Sequence, residues 1–146
     1  MIDAITANCR FCSIIRGEVP SDRVFEDELS LAFLDHRPVF PGHCLLIPKE
    51  HFATLSDLPT QLLAPLFGNA QLLARALEQG LWAEGTFVAI NNRVSQSVPH
   101  LHIHVVPRRK KDGLKGFFWP RQSYRDGEHL ASVQRALQEA ISQLKE

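Results

Sequence analysis

The sequence predicts an α+β domain, a five-stranded and mainly antiparallel sheet carrying a long central helix and a C-terminal helix. Two patterns predict it. Five short apolar runs, rich in branched and aromatic residues, are punctuated by Gly, Pro and Asp, while two longer stretches repeat leucine at helical spacing. A length of 146 residues supports one domain, 1–146, with a real core, and is short for two.

After a loose start, Asn8–Gly17 reads as one or two helical turns ended by Gly17, with Phe11, Ile14 and Ile15 apolar at helical spacing. Phe11 and Ile14 are either core or one wall of a base-binding slot. Arg23–Glu26 and Leu29–Leu34 form a hairpin around Asp27-Glu28, ended where Pro38 forces extended geometry. Pro41-Gly42 is a turn, and His43–Ile47 is so continuously apolar that it belongs in the middle of the sheet, stopping at Pro48. Ser56 or Asp57 caps a helix from Pro59, with Leu62, Leu63, Leu66, Leu72, Leu73, Ala76 and Leu77 as its stripe, Pro65 bending or dividing it and Gly80 closing it. Thr86–Ile90 is the fourth strand, and it delivers the polar loop Asn91–Gln96. The fifth strand contains His100, His102 and His104. A basic, glycine-punctuated loop follows, then Phe117–Pro120. A last helix starts at Asp126 or Gly127, with Leu130, Val133, Leu137, Ile141 and Leu144 as its buried face.

Acidic and basic residues balance at sixteen each, so no overall field draws the chain to nucleic acid or a membrane. No apolar run reaches spanning length and the N-terminus lacks a leader pattern, so a cytoplasmic protein is expected. Three cysteines in a reducing compartment argue against a disulfide framework and for a metal or redox role for the Cys9-x-x-Cys12 pair; Cys44 reads as a small buried apolar residue.

The chemistry concentrates in Ser97-Val98-Pro99-His100-Leu101-His102-Ile103-His104. Alternation with period two predicts one row of imidazoles on a strand face, with Leu101, Ile103 and Val105 directed into the core. Imidazole near its pKa serves as nucleophile, proton carrier or metal ligand.

Asn91, Gln96-Ser97-Val98 and His100-x-His102-x-His104, together with Leu31–Asp35, Pro41-Gly42-His43 and Leu46–Lys49 with His51 beyond, resemble the histidine-triad family of nucleotide-binding hydrolases and transferases. The resemblance runs from about Cys9 to Pro107, leaving 108–146 as a specificity loop and helix. It implies attack by His102 on the α-phosphate of a purine nucleoside phosphoramidate or dinucleoside polyphosphate, through a covalent nucleotidyl-histidine. It also implies that His104, Ser97, Gln96 and Asn91 hold the phosphate, with His104 handling the leaving group's proton. Asp35 takes the ribose hydroxyls, or else only caps its turn; Phe11, Ile14 and His36 flank the purine. His43 either touches the ligand or orients the row from behind. A bacterial branch of the family, with the related galactose-1-phosphate uridylyltransferases, implies a closed structural zinc on Cys9, Cys12, His51 and His100, with no cofactor required for the chemistry. The family also implies a homodimer, for which the helix Pro59–Gln79 beside a sheet edge offers a surface. Two departures stand out. Val94-Ser95 replaces the small pair common before Gln96, limiting close approach of backbone amides to a phosphate, and the Phe117–Arg121 tail has no counterpart in the better-understood branches.

Two other functions compete. One is a regulatory module that keeps the nucleotide pocket but does little chemistry. The other is a nucleic-acid binder, from Arg108, Arg109, Lys110, Lys111, Lys115 and Arg121 interleaved with aromatics. A solvated loop guiding anionic substrates is the more economical reading of that patch.

Overall fold

The N-terminal segment, expected to be loose, forms a short helix α1 (Ala4–Asn8), because the Asp3 carboxylate accepts the Thr6 amide at 2.8 Å and caps it. Helix α2 (Arg10–Ile15) follows at once, its cap supplied by the Cys9 sulfur, which accepts the Cys12 amide at 3.4 Å. The hairpin β1 (Arg23–Glu26) and β2 (Ser30–Leu34) turns where Asp27 accepts the amides of Leu29 and Ser30 at 2.9 and 2.8 Å. Strands β3 (Cys44–Pro48), β4 (Gly85–Ala89) and β5 (Ile103–Arg108) complete a five-stranded sheet of order β1-β2-β3-β5-β4, every neighbour antiparallel. This computed structural model describes residues 3–115 and 121–145. Phe117–Pro120 of the expected specificity tail lie outside them.

The sheet separates two cores by side-chain alternation. Ala32, Cys44, Leu46, Leu101, Ile103 and Val105 pack with Leu66, Ala70, Leu73 and Leu77 of helix α3 (Thr60–Leu81). Leu31, Phe33, Leu45 and Ile47 pack with Cys9, Phe11, Cys12 and Ile14. His104 pairs with Leu45 across one ladder and Ala89 across the other, which sets it on the α2 side.

Several details differ from the sequence reading. The β3–β5 ladder ends at Leu46↔Ile103, so His100, Leu101 and His102 precede the strand and only His104 lies on it. Pro48 has no amide to extend the ladder, and its carbonyl is occupied by the His100 ring at 2.8 Å. Asp57 does not cap α3; it closes a 3-10 turn, Leu55–Asp57, by accepting from Thr54, and Pro59 is the residue before the helix. Pro65 leaves α3 undivided, and the helix passes Gly80 to end at Trp82 in the left-handed region, φ 53°. Leu63 and Leu72, expected in the stripe, are exposed.

Residues Met1–Asp112 and Gly113–Glu146 form two compact units. The second carries α4 (Gly127–Leu144), capped by Asp126 accepting the His129 amide at 2.7 Å. None of its residues is buried; Leu130, Leu137, Ile141 and Leu144 are exposed. Helical periodicity shows that a face is apolar, and does not show that the same chain covers it.

Candidate active site and metal centre

Cys9, Cys12, His51 and His100 bring four ligand atoms within 4.8 Å of one another. Cys9 Sγ and His100 Nδ1 lie 3.4 Å apart, Cys12 Sγ is 3.4 Å from His51 Nδ1 and 3.6 Å from His100 Nδ1, and the two imidazole nitrogens are 3.1 Å apart. A tetrahedron with zinc-like bond lengths has S–N and N–N edges of about 3.6 and 3.3 Å. The Pro48 carbonyl can only accept, so His100 Nε2 carries the hydrogen and Nδ1 is a lone pair. Two sulfurs and a second ring nitrogen, that of His51, converge on that one lone pair, a crowding that a cation relieves. Burial, reinforced by Cys9, pushes the Cys12 thiol up to about 12, so a nearby divalent charge is what would make it a thiolate. These residues fit a metal ion, and the cap and first turn of α2, Cys9 to Cys12, would thereby be tied to the start of the histidine row.

The same logic fixes the other rings. His102 Nδ1 lies 2.7 Å from the His100 carbonyl oxygen, so it donates, leaving Nε2 as the lone-pair nitrogen. The Val39 amide donates to His43 Nδ1 at 3.1 Å, so His43 Nε2 holds the hydrogen and donates to His104 Nδ1 at 2.9 Å. His104 Nε2 then bears a hydrogen. Burial, aided by His102 and His43, pushes the His104 pKa down to about 4, and burial lowers His43 as well, so both rings are neutral at pH 7. The result is a nucleophilic nitrogen beside a proton donor, ring centroids 5.0 Å apart. Phe11 holds His102 edge-on at 5.1 Å.

His102 is only 3 % exposed, yet with His104 it lines a cavity of about 940 Å³. Phe11, Ile14, Asp35, His36 and Ser97 share that lining. Asp35 uses Oδ1 to accept the Arg37 amide at 2.9 Å, while Oδ2 stands 3.8 Å from His43 Nδ1. It therefore caps its turn and still faces the cavity. His43 sits outside the lining, behind His104. Asn91 and Gln96 are not in the lining either. The Gln96 side chain donates to the Ala53 carbonyl at 2.6 Å and accepts the Arg93 amide at 2.8 Å, and Asn91 is exposed. Ser95, in the stretch where small residues were expected, takes a left-handed φ of 59° without being glycine. Sequence reasoning missed Arg10, Ser21, Asp22 and Arg37 in the lining, since Arg10 fills an unspecified position of Cys9-x-x-Cys12 and the other three sit in no motif. In the basic loop, Arg108 is paired with Asp112 at 2.6 Å and Arg109 donates to the Leu81 carbonyl, so part of that charge is already engaged.

The model of the HIT domain matches residues 16–111. The chain belongs to the HIT domain family. An uncharacterised HIT-like protein of Mycobacterium tuberculosis (strain CDC 1551 / Oshkosh) is 40% identical over 140 residues, covering 92% of this chain and 94% of that one. An adenosine 5'-monophosphoramidase of Saccharomyces cerevisiae is 38% identical over 120 residues, 81% of this chain and 73% of that one. Among solved structures, SMU.412c of Streptococcus mutans UA159 superposes with a TM-score of 0.82 at 36% identity, covering 92% of this chain and 85% of that one. A zinc-bound histidine triad family protein from Mycobacterium smegmatis gives 0.71 at 38%, covering 94% and 98%. The HIT fold and its relatives make this chain a nucleotide hydrolase in the broad sense. Among the described residues no helix is long and apolar enough to cross a membrane.

Proposed function

We propose that this HIT protein cleaves purine nucleoside phosphoramidates or dinucleoside polyphosphates at the α-phosphate, through a covalent nucleotidyl-histidine on His102. The observation that carries the reading is the bond from His102 Nδ1 to the His100 carbonyl, which reserves Nε2 for attack. The Nε2 lone pair forms a bond to phosphorus as the P–N or P–O bond to the leaving group breaks. The leaving group takes the hydrogen from His104 Nε2. Water then attacks phosphorus, releasing His102 and a nucleoside monophosphate, and a proton returns to His104. Ser97 holds the phosphate. Gln96 acts one step back, fixing the loop that carries Ser97 through its bonds to Ala53 and Arg93; Asn91, exposed and outside the lining, is given no contact. Asp35 Oδ2 takes ribose hydroxyls, and Phe11, Ile14 and His36 flank the purine.

Cys9, Cys12, His51 and His100 hold a structural zinc in this proposal, closed by four protein ligands and taking no part in the reaction. A homodimer through the outer face of α3 and the β4 edge is supported by the edge position of β4 and by exposed Val88, Leu63 and Phe67. The working compartment is the cytoplasm, where three free cysteines stay reduced. Turnover of adenosine 5'-phosphoramidate by wild type and by His102→Ala tests the activity. The variant should bind adenosine nucleotide and release no product; undiminished turnover in it refutes the mechanism, and absent turnover in wild type with intact binding leaves a regulatory module.

A further inference from the structure

Among the described residues, Ser21 Oγ is the one buried side-chain oxygen or nitrogen without a hydrogen-bond partner. A hydroxyl placed so gives up hydration and gets nothing in return, and native proteins rarely keep such a group without a use for it. Its location supplies one. Ser21 lines the cavity between Pro20 and Asp22, in the same lining as Phe11, Ile14 and Phe33. The segment is pinned to the strand that leads to Asp35, because the Asp22 carbonyl accepts the Leu34 amide at 2.9 Å. The apolar walls Phe11, Ile14 and Phe33 can clamp a flat ring without distinguishing one purine from another. The Ser21 hydroxyl can, since it offers a directional bond to a polar substituent on the ring edge. Its neighbour Asp22 carries a carboxylate that only accepts when ionised, so this corner favours a donor on the base over an oxo group.

We propose that Ser21 is a specificity-determining residue, its hydroxyl accepting a hydrogen bond from the exocyclic amine at C6 of adenine. The inference rests on the nucleotide reading above and names the base that reading takes. The test is calorimetric binding of AMP, IMP and purine riboside 5'-monophosphate to the full chain as wild type, Ser21→Ala and Ser21→Thr, with thermal midpoints alongside. Wild type should prefer AMP by about 3- to 10-fold, the worth of one neutral hydrogen bond. Ser21→Ala should bring AMP down to the level of purine riboside 5'-monophosphate without weakening the latter, and without lowering the midpoint, because it removes an unpaired hydroxyl. Ser21→Thr should restore the preference. Unchanged AMP binding in Ser21→Ala overturns the inference and leaves the nucleotide reading standing. So does equal weakening of all three nucleotides with a lower midpoint, which would mark a structural role. Failure of wild type to bind any of the three overturns both.

Discussion

Replacing His43 by Phe removes the group behind the proton donor while keeping a ring in its place. His43 is 3 % exposed and makes two bonds, accepting the Val39 amide at 3.1 Å and donating to His104 Nδ1 at 2.9 Å. Losing both leaves one amide and one ring nitrogen unpartnered, a cost of about 2 kcal/mol and hence a fall in thermal midpoint of roughly 4–8 °C for a chain this size. The catalytic effect is a separate quantity. His104 keeps its ring but loses the bond that fixes its hydrogen on Nε2, and one neutral hydrogen bond is worth about tenfold at most. The loss should depend on the leaving group. Single-turnover rates on adenosine 5'-phosphoramidate, whose amine must be protonated to depart, should fall roughly tenfold. Rates on the p-nitrophenyl ester of AMP, whose leaving group departs as an anion, should change little. Equal losses on both substrates, or a loss as large as that in His102→Ala, would refute the proton-donor chain.

Three further outcomes follow from other parts of the molecule. Purified protein should carry about one zinc per chain by elemental analysis, and Cys12→Ser or strong chelator should lower the thermal midpoint; metal-free protein with an unchanged melt refutes the closed site. Because His104 sits at about 4 and His43 below its usual value, the folded state binds fewer protons than the unfolded one. The stability these neutral rings confer should be complete above pH 6.5 and drain away as pH falls toward 4, a slope that His104→Gln should flatten in denaturant titrations. Gly42→Ala should destabilise by about 2 kcal/mol in urea melts, since φ is +104° there and the new Cβ would lie 2.5 Å from Leu81 Cδ1; an unaltered melt would show that the turn before His43 yields freely.

Much of this architecture could be read from residue pattern. Strands β1 to β4 announce themselves as short branched or aromatic runs between turn residues, and Cys9-x-x-Cys12 stands out as a spaced thiol pair, while His51 and His100 join it only through the family resemblance. Failures arise where tertiary partners decide. His100 and His102 alternate with apolar residues as a strand would, but Pro48 cannot extend the ladder and both histidines spend their bonds on carbonyls instead. The leucines of α4 mark an apolar face without saying what, if anything, in the chain covers it. Gln96 looks like a phosphate donor by position, yet it lies outside the cavity lining with its amide bonded to Ala53 and Arg93, contacts 43 and 3 residues away that no local pattern encodes. Ser21 gives no signal at all, because an unpaired hydroxyl is visible only once its surroundings are known.

The most direct test of the central claim is intact mass spectrometry after rapid quench with adenosine 5'-phosphoramidate. A transient species heavier by one adenylyl group, mapped to His102 and missing from His102→Ala, is what the geometry predicts. Turnover with no such species at any time, or an adduct that persists when His102 is replaced, would contradict it.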